Sequence, residues 1–121
     1  MRENLTYDKA LRYAIRIVNL YKYLIEEKSE YVMSKQLLRS GTSIGANVSE
    51  AISAESVPDF IHKLAIAQKE ANETKYWLTL LEKTGYLSLS QYQSMNTDCI
   101  EMIKIIVSII LTTKQKKSHN S

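Results

Sequence analysis

Apolar residues recur at steps of three and four along nearly the whole chain, the spacing that gathers side chains on one face of an α-helix. Tyr7, Leu11, Ala14, Val18, Tyr21 and Ile25 form such a stripe and predict a first helix over about 7–27, with Thr6 as N-cap and Asp8 in the first turn. This stripe is the expected core seam of that helix. Tyr13, Ile17, Leu20 and Leu24 make a second stripe turned well away from it, and Lys9, Arg12 and Arg16 form a basic line on the remaining side. Residues 28–32 read as a polar link, and a second helix is expected over about 34–55.

Ser56-Val57-Pro58-Asp59 is the clearest punctuation in the chain. Ser56 caps, Asp59 stands at the third position of a capping box, and Pro58 falls in the first turn, where a missing N–H matters little. The third helix is expected over about 57–84, ended by Gly85. Its seam is Phe60, Leu64, Ala67, Ala71, Thr74, Leu78 and Leu81, with Ile66, Trp77 and Leu80 outside it. Ser88 and Gln91 form another capping box, with a Leu87–Tyr92 staple, and open a fourth helix over about 90–113. Its seam is Tyr92, Met95, Cys99, Ile103, Ile106 and Ile110, and the basic tail 114–121 is expected to fray. Four long helices with short links predict an all-α fold: one domain, 1–121, an antiparallel up-down-up-down four-helix bundle.

The segment from Leu38 to Ala51 looks like a loop in composition but not in period. Leu37, Gly41, Ile44, Val48 and Ile52 share one helical face, with Gly45 beside them. Each glycine costs a helix about 1 kcal/mol relative to alanine, so packing must recover the loss. A face without Cβ lets a neighbouring helix come close. This is the helix around which the others are expected to assemble.

A solitary bundle needs one apolar stripe per helix, yet the first and third helices carry two. Ile17, Leu20, Leu24, Ile66, Trp77 and Leu80 are the surplus, and leaving all six exposed would forgo on the order of 10 kcal/mol and create an aggregating patch. They are the candidate oligomer interface, in a ring or a dimer.

Composition narrows the function. With 45% hydrophobic and 24% charged residues the chain is an ordinary soluble domain. Its one cysteine, Cys99, allows no internal disulfide and is expected to be a buried, reduced thiol of a cytoplasmic protein. The charged N-terminus, Met1-Arg2-Glu3-Asn4, does not read as a signal peptide, and the apolar run 100–113 is too short for a membrane. A di-iron bundle would need Glu-x-x-His pairs, whereas Glu70-Ala71-Asn72-Glu73 has no histidine. His62 has no arginine near it for a ribonuclease pair, and Gly41 to Gly45 lacks the lysine of a P-loop. No catalytic residue, metal site or cofactor is therefore expected. Arg39 is expected to pair with Glu50, Glu70 or Glu73 where helices meet. The net charge of +3 is a weak pointer to a polyanion. Lys9, Arg12 and Arg16 with Lys114, Lys116 and Lys117 are the candidate phosphate contacts, and an oligomer would repeat them.

Three stretches carry a resemblance: Leu38 to Ala51, Asp59 to Ala71, and Glu73-Thr74-Lys75-Tyr76-Trp77-Leu78. They resemble the bacterial four-helix-bundle proteins encoded in intervening sequences of 23S ribosomal RNA genes. The resemblance implies a homopentameric ring, and kinship with the accessory variability determinant of diversity-generating retroelements, which binds nucleic acid and a reverse transcriptase. It also implies packing and assembly roles for Arg39, Gly41, Gly45, Asn47, Glu50, Glu70, Glu73, Tyr76 and Trp77. The expected function is a non-enzymatic oligomeric scaffold that binds structured RNA or an RNA–protein complex, with no membrane role. The alternative is a protein–protein interaction module without a nucleic-acid role.

Overall fold

The computed structural model describes residues 2–119 as four helices: α1 (Arg2–Lys28), α2 (Met33–Ile52), α3 (Val57–Lys83) and α4 (Leu89–His119). No strand occurs among the described residues. Neighbours in sequence are neighbours in space, and α4 closes back on α1 through the sparsest of the four contacts.

The helix ends follow local chemistry. The Asp59 N–H donates to Ser56 Oγ at 3.2 Å, with Pro58 in the first turn of α3. At α4 the capping box is reciprocal: Gln91 N–H donates to Ser88 Oγ, and Ser88 N–H to Gln91 Oε1. Gly85 has φ +87°, the left-handed region that a Cβ disfavours. From that turn, Tyr86 N–H reaches back to the Leu81 carbonyl at 2.9 Å.

Three ends depart from expectation, the smallest departure being that of α2, which stops at Ile52 rather than near 55. Helix α1 begins at Arg2, so Thr6 is not an N-cap but a buried residue of the helix, lining a small apolar cavity with Val48, Leu64 and Ile109. Helix α4 does not end at Thr113 but runs on to His119. No Pro or Gly stops it, and Lys114, Lys116 and Lys117 near its C-terminus complement the helix dipole. The expectation for Asn120 and Ser121, like that for Met1, lies outside the described residues.

Helix α2 has a cap that its sequence concealed. Glu30, inside the 28–32 link, is buried and accepts from the backbone N–H groups of Val32, Met33 and Ser34, while Ser34 Oγ donates to the Glu30 carbonyl at 2.8 Å. Burial acts to raise the Glu30 pKa, and the three N–H donors outweigh it, so the carboxyl sits below its ordinary range. The link holds its shape through Ser29 at φ +52° and a Glu30 N–H bond to the Leu24 carbonyl.

The core shows which stripe of each helix faces inward. On α3, Leu64, Ala67, Ala71, Thr74, Leu78 and Leu81 are buried as the seam predicted. On α4, Met95, Cys99 and Ile106 are joined by Met102 and Ile109, which the expected seam omitted. On α1 the two stripes exchange roles. Ile17, Leu20 and Leu24 are core residues, with Ala10 and Tyr13, and are not the oligomer interface assigned from the sequence. The expected seam lies outward instead, with Leu11 at 45% exposure and Tyr7, Val18, Tyr21 and Ile25 half-buried.

The facing helix decides the exchange. A Cβ built on Gly41 would lie 2.7 Å from Ile17 Cγ1 and Cδ1, so Ile17 occupies the space that the glycine leaves. Tyr13, one turn earlier, donates its hydroxyl to the Met95 carbonyl of α4 at 3.0 Å. Both heptad-like stripes have the same period; only the hole on α2 tells them apart. Gly45 differs, since a Cβ there would meet the Ala10 backbone at an ordinary 3.5 Å.

Gly41→Ala should therefore destabilise the fold by about 1–3 kcal/mol through overpacking, because the branched Ile17 side chain cannot turn its methyls away. Gly45→Ala should be neutral or stabilising by up to about 1 kcal/mol. Urea denaturation of the two variants checks the order. Glu30→Gln should cost stability at neutral pH. With the folded pKa lowered, that cost is present above the ordinary carboxylate range and fades as pH falls through the folded pKa; a stability difference that is flat with pH would contradict the cap.

Candidate nucleic-acid and assembly surfaces

The basic line of α1 lies along the α1–α4 seam, and α4 answers it with carboxylates. Lys9 pairs with Glu101, and Arg16 with Asp98. Arg16 also donates through Nη2 to Ser94 Oγ at 2.7 Å. Arg12 has no ion pair among the described residues and lines a groove with Lys9, Tyr13, Arg16 and Met102. Two of the three candidate phosphate contacts on α1 are thus already engaged. These pairs are about half exposed, so each is worth about 0–1 kcal/mol. They tie α4 to α1 at the rim of the buried Tyr13–Met95 contact.

Lys114, Lys116 and Lys117 are exposed on the last turns of α4 and have no ion pair among the described residues. Lys114 and Lys117 flank an open groove with Pro58 and Ile61 at the start of α3. The structure therefore separates the six candidates. Those on α1 lie along the seam, and those on α4 sit beyond it, beside α3.

The α2–α3 face carries the motif residues. Arg39 bridges Glu70, at 3.0 Å, and Glu73. Glu73 also accepts from Trp77 Nε1 at 3.0 Å. The arginine thus fixes two turns of α3, and through Glu73 it sets the indole. Tyr76, 58% exposed, meets the Trp77 ring edge-on with centroids 4.9 Å apart. Glu50 is not a partner of Arg39; it lies on the next turns of the same face, 3.9 Å from Lys63. Asn47 Nδ2 donates to the Ser43 carbonyl at 2.9 Å, a bond within α2. Ile66 and Leu80 are half-buried on this side.

Under the arginine, Ser40 and Thr74 are fully buried and their hydroxyls are 2.9 Å apart. Neither stood out as functional in the sequence. Two small hydroxyls satisfy each other and let α2 and α3 approach, a pairing that only the three-dimensional register reveals.

Cys99 is buried, as its apolar period implied, and its thiol donates to the Ala71 carbonyl of α3 at 3.2 Å. Burial pushes its pKa up to about 11. Beside it, burial drives the Tyr13 phenol far above its ordinary range. Among the described residues, no three His, Cys, Asp or Glu side chains come together in a way that could hold a metal. His62 is exposed on the outer side of α3. No helix among the described residues is long and apolar enough to cross a membrane.

A family model described as 23S rRNA-intervening sequence protein matches residues 2–108. A crystal structure of a protein with unknown function, from the S23 ribosomal protein family of Bacteroides thetaiotaomicron VPI-5482, is 59% identical, with a TM-score of 0.89 over 91% of this chain and 98% of that one. No curated protein matches.

At pH 8 only about one in a thousand Cys99 thiols is ionised, so the folded protein should resist a thiol reagent such as DTNB and react on denaturation. Rapid stoichiometric labelling under native conditions would show that the α3–α4 contact opens.

Proposed function

The chain belongs to the 23S rRNA-intervening sequence protein family, and from that footing we propose that it is a non-catalytic scaffold that assembles with copies of itself and engages structured RNA. The observation that carries the assembly is the outward apolar ridge of α1, in which Leu11, Ile15 and Val18 follow one another at helical spacing with Leu11 and Ile15 about half exposed. Burying a side chain of this size is worth roughly 1.5–3 kcal/mol, and a second copy is the simplest cover. The sequence argument for self-association keeps its force with the two stripes exchanged. The proposed state is a ring of five, after the family resemblance, in the cytoplasm.

The proposed bundle runs up, down, up and down. Rising numbers on one helix meet falling numbers on the next: Lys9 with Glu101 and Arg16 with Asp98, Arg39 with Glu73 and Glu50 with Lys63. Links of only a few residues between the helices support the same directions.

A second reading, a protein-interaction module without RNA, draws on the neutralised α1 line and on Arg39, Tyr76 and Trp77, residue types that anchor protein interfaces. A salt-dependent gel shift on structured RNA separates the readings, and binding that ignores salt or is absent favours the module.

Light scattering should give five times the 13.9 kDa of one chain. Leu11→Asp/Ile15→Asp should lower that mass with helicity retained by circular dichroism, because neither side chain belongs to the core. A wild-type mass of a single chain would remove the scaffold reading.

A further inference from the structure

The apolar ridge of α1 continues onto α2. The two helices meet where a Cβ on Gly45 would lie 3.5 Å from the Ala10 backbone. On α1, helical spacing sets Tyr7, Ala14 and Val18 along that meeting line, with Leu11 on its outer side. On α2 it sets Leu38, Thr42 and Ser49 there, with Ala46 on the outer side. Leu11, Ala46 and Ser49 are exposed, and the others are half-buried. None of them is charged. The Thr42 hydroxyl is satisfied inside its own helix, donating to the Leu38 carbonyl at 2.7 Å.

Charges stand around this face rather than on it. Arg39 and Glu50, which flank Ala46 by spacing, are turned to α3 by Glu70, Glu73 and Lys63. Asp8 and Arg12 lie on the side of the α1 ridge away from α2, and Lys22 and Lys35 are exposed towards the α1–α2 link. Size argues that both helices are used. The ridge of α1 alone, one helix wide and about 20 Å long, offers roughly 200 Å². A stable interface takes about 800 Å² from each partner. The two helices side by side, about 20 Å wide and 30 Å long, come to roughly 600 Å² in projection.

We propose that α2 supplies the second half of the self-assembly interface, and that a second copy of this chain covers the uncharged α1–α2 face across Leu11, Ala46 and Ser49. The proposal deepens the assembly reading above and rests on it. A copy fits better than a passing partner because permanent interfaces between like chains are more apolar than ordinary surface, whereas transient ones are not. Ala46 and Ser49 have little side chain to hold a neighbouring helix away, so backbone and stem atoms of the copy come within dispersion range. The inner side of α2 is filled by Ile17, and this outer flank is free for the copy.

The test is sedimentation velocity of the full chain across a dilution series, with helicity followed by circular dichroism. Ala46→Lys/Ser49→Lys should weaken association at least tenfold with helicity retained, because both positions are exposed in the single chain. Ala46→Ser/Ser49→Ala, small and neutral, should assemble as the wild type does, which separates added charge from a damaged helix. Gln93→Lys/Thr97→Lys, the same charge on exposed positions of α4, should change association less than threefold. Equal losses in both lysine variants would overturn the proposal. If Leu11→Asp/Ile15→Asp breaks the assembly and Ala46→Lys/Ser49→Lys does not, the assembly reading stands and the assignment to α2 fails. If the wild type sediments as one chain, both fall.

Discussion

The structure depends on one close approach: Ile17 of α1 lies where the Cβ of residue 41 would be. That contact sets the rotation of α1 about its own axis. Ala10, Tyr13, Leu20 and Leu24 follow it into the core, and Leu11, Ile15 and Val18 are left outside. A helix weakened by two glycines and several serines is thus held by its packing, because its neighbours supply what its propensity lacks. The fully buried Ser40–Thr74 pair does the same on the α3 side. Short side chains on both flanks of α2 bring three helices close together, and the outward apolar ridge of α1 follows from the same geometry.

Charge is distributed by the same logic. Arg39 is held between two carboxylates of α3, one of which also fixes Trp77. Lys9 and Arg16 are spent on the α1–α4 seam. What a composition count presents as a mild basic excess is, in three dimensions, a set of structural pairs plus unpaired cations spread over several faces, among them Arg12 on α1 and Lys114, Lys116 and Lys117 on α4. A net charge therefore says little about where a polyanion would bind.

The legible parts of the fold were those written in local chemistry. Ser56 with Asp59, Ser88 with Gln91 and Gly85 each mark a helix end through contacts a few residues long, and the α3 seam was readable because its other faces are interrupted by charge. The choice between the two α1 stripes was not readable. Their periods are equal, and the deciding feature is a hole in another helix. Glu30 was hidden for a related reason: a glutamate in a polar link looks solvated until the turn at Ser29 folds it back onto three N–H groups. At the candidate sites, two of the three partners expected for Arg39, Glu70 and Glu73, are the ones it bridges, and Glu50 is not. That Lys9 and Arg16 were already engaged could not be foreseen, because their partners stand some 80 to 90 residues away.

The α1–α4 seam also bears on how the chain finds its shape. Three of the four contacts join consecutive helices across short links, so they close small loops at low entropic cost. The fourth joins α1 to α4, with Lys9 and Glu101 92 residues apart in sequence, and combines two ion pairs with the buried Tyr13–Met95 hydrogen bond. By loop-closure entropy it is the costliest of the four contacts to form. A circular permutation that fused α4 to α1 and cut one of the other links would turn the most distant contact into a local one, and would expose how far folding speed here is a matter of connectivity.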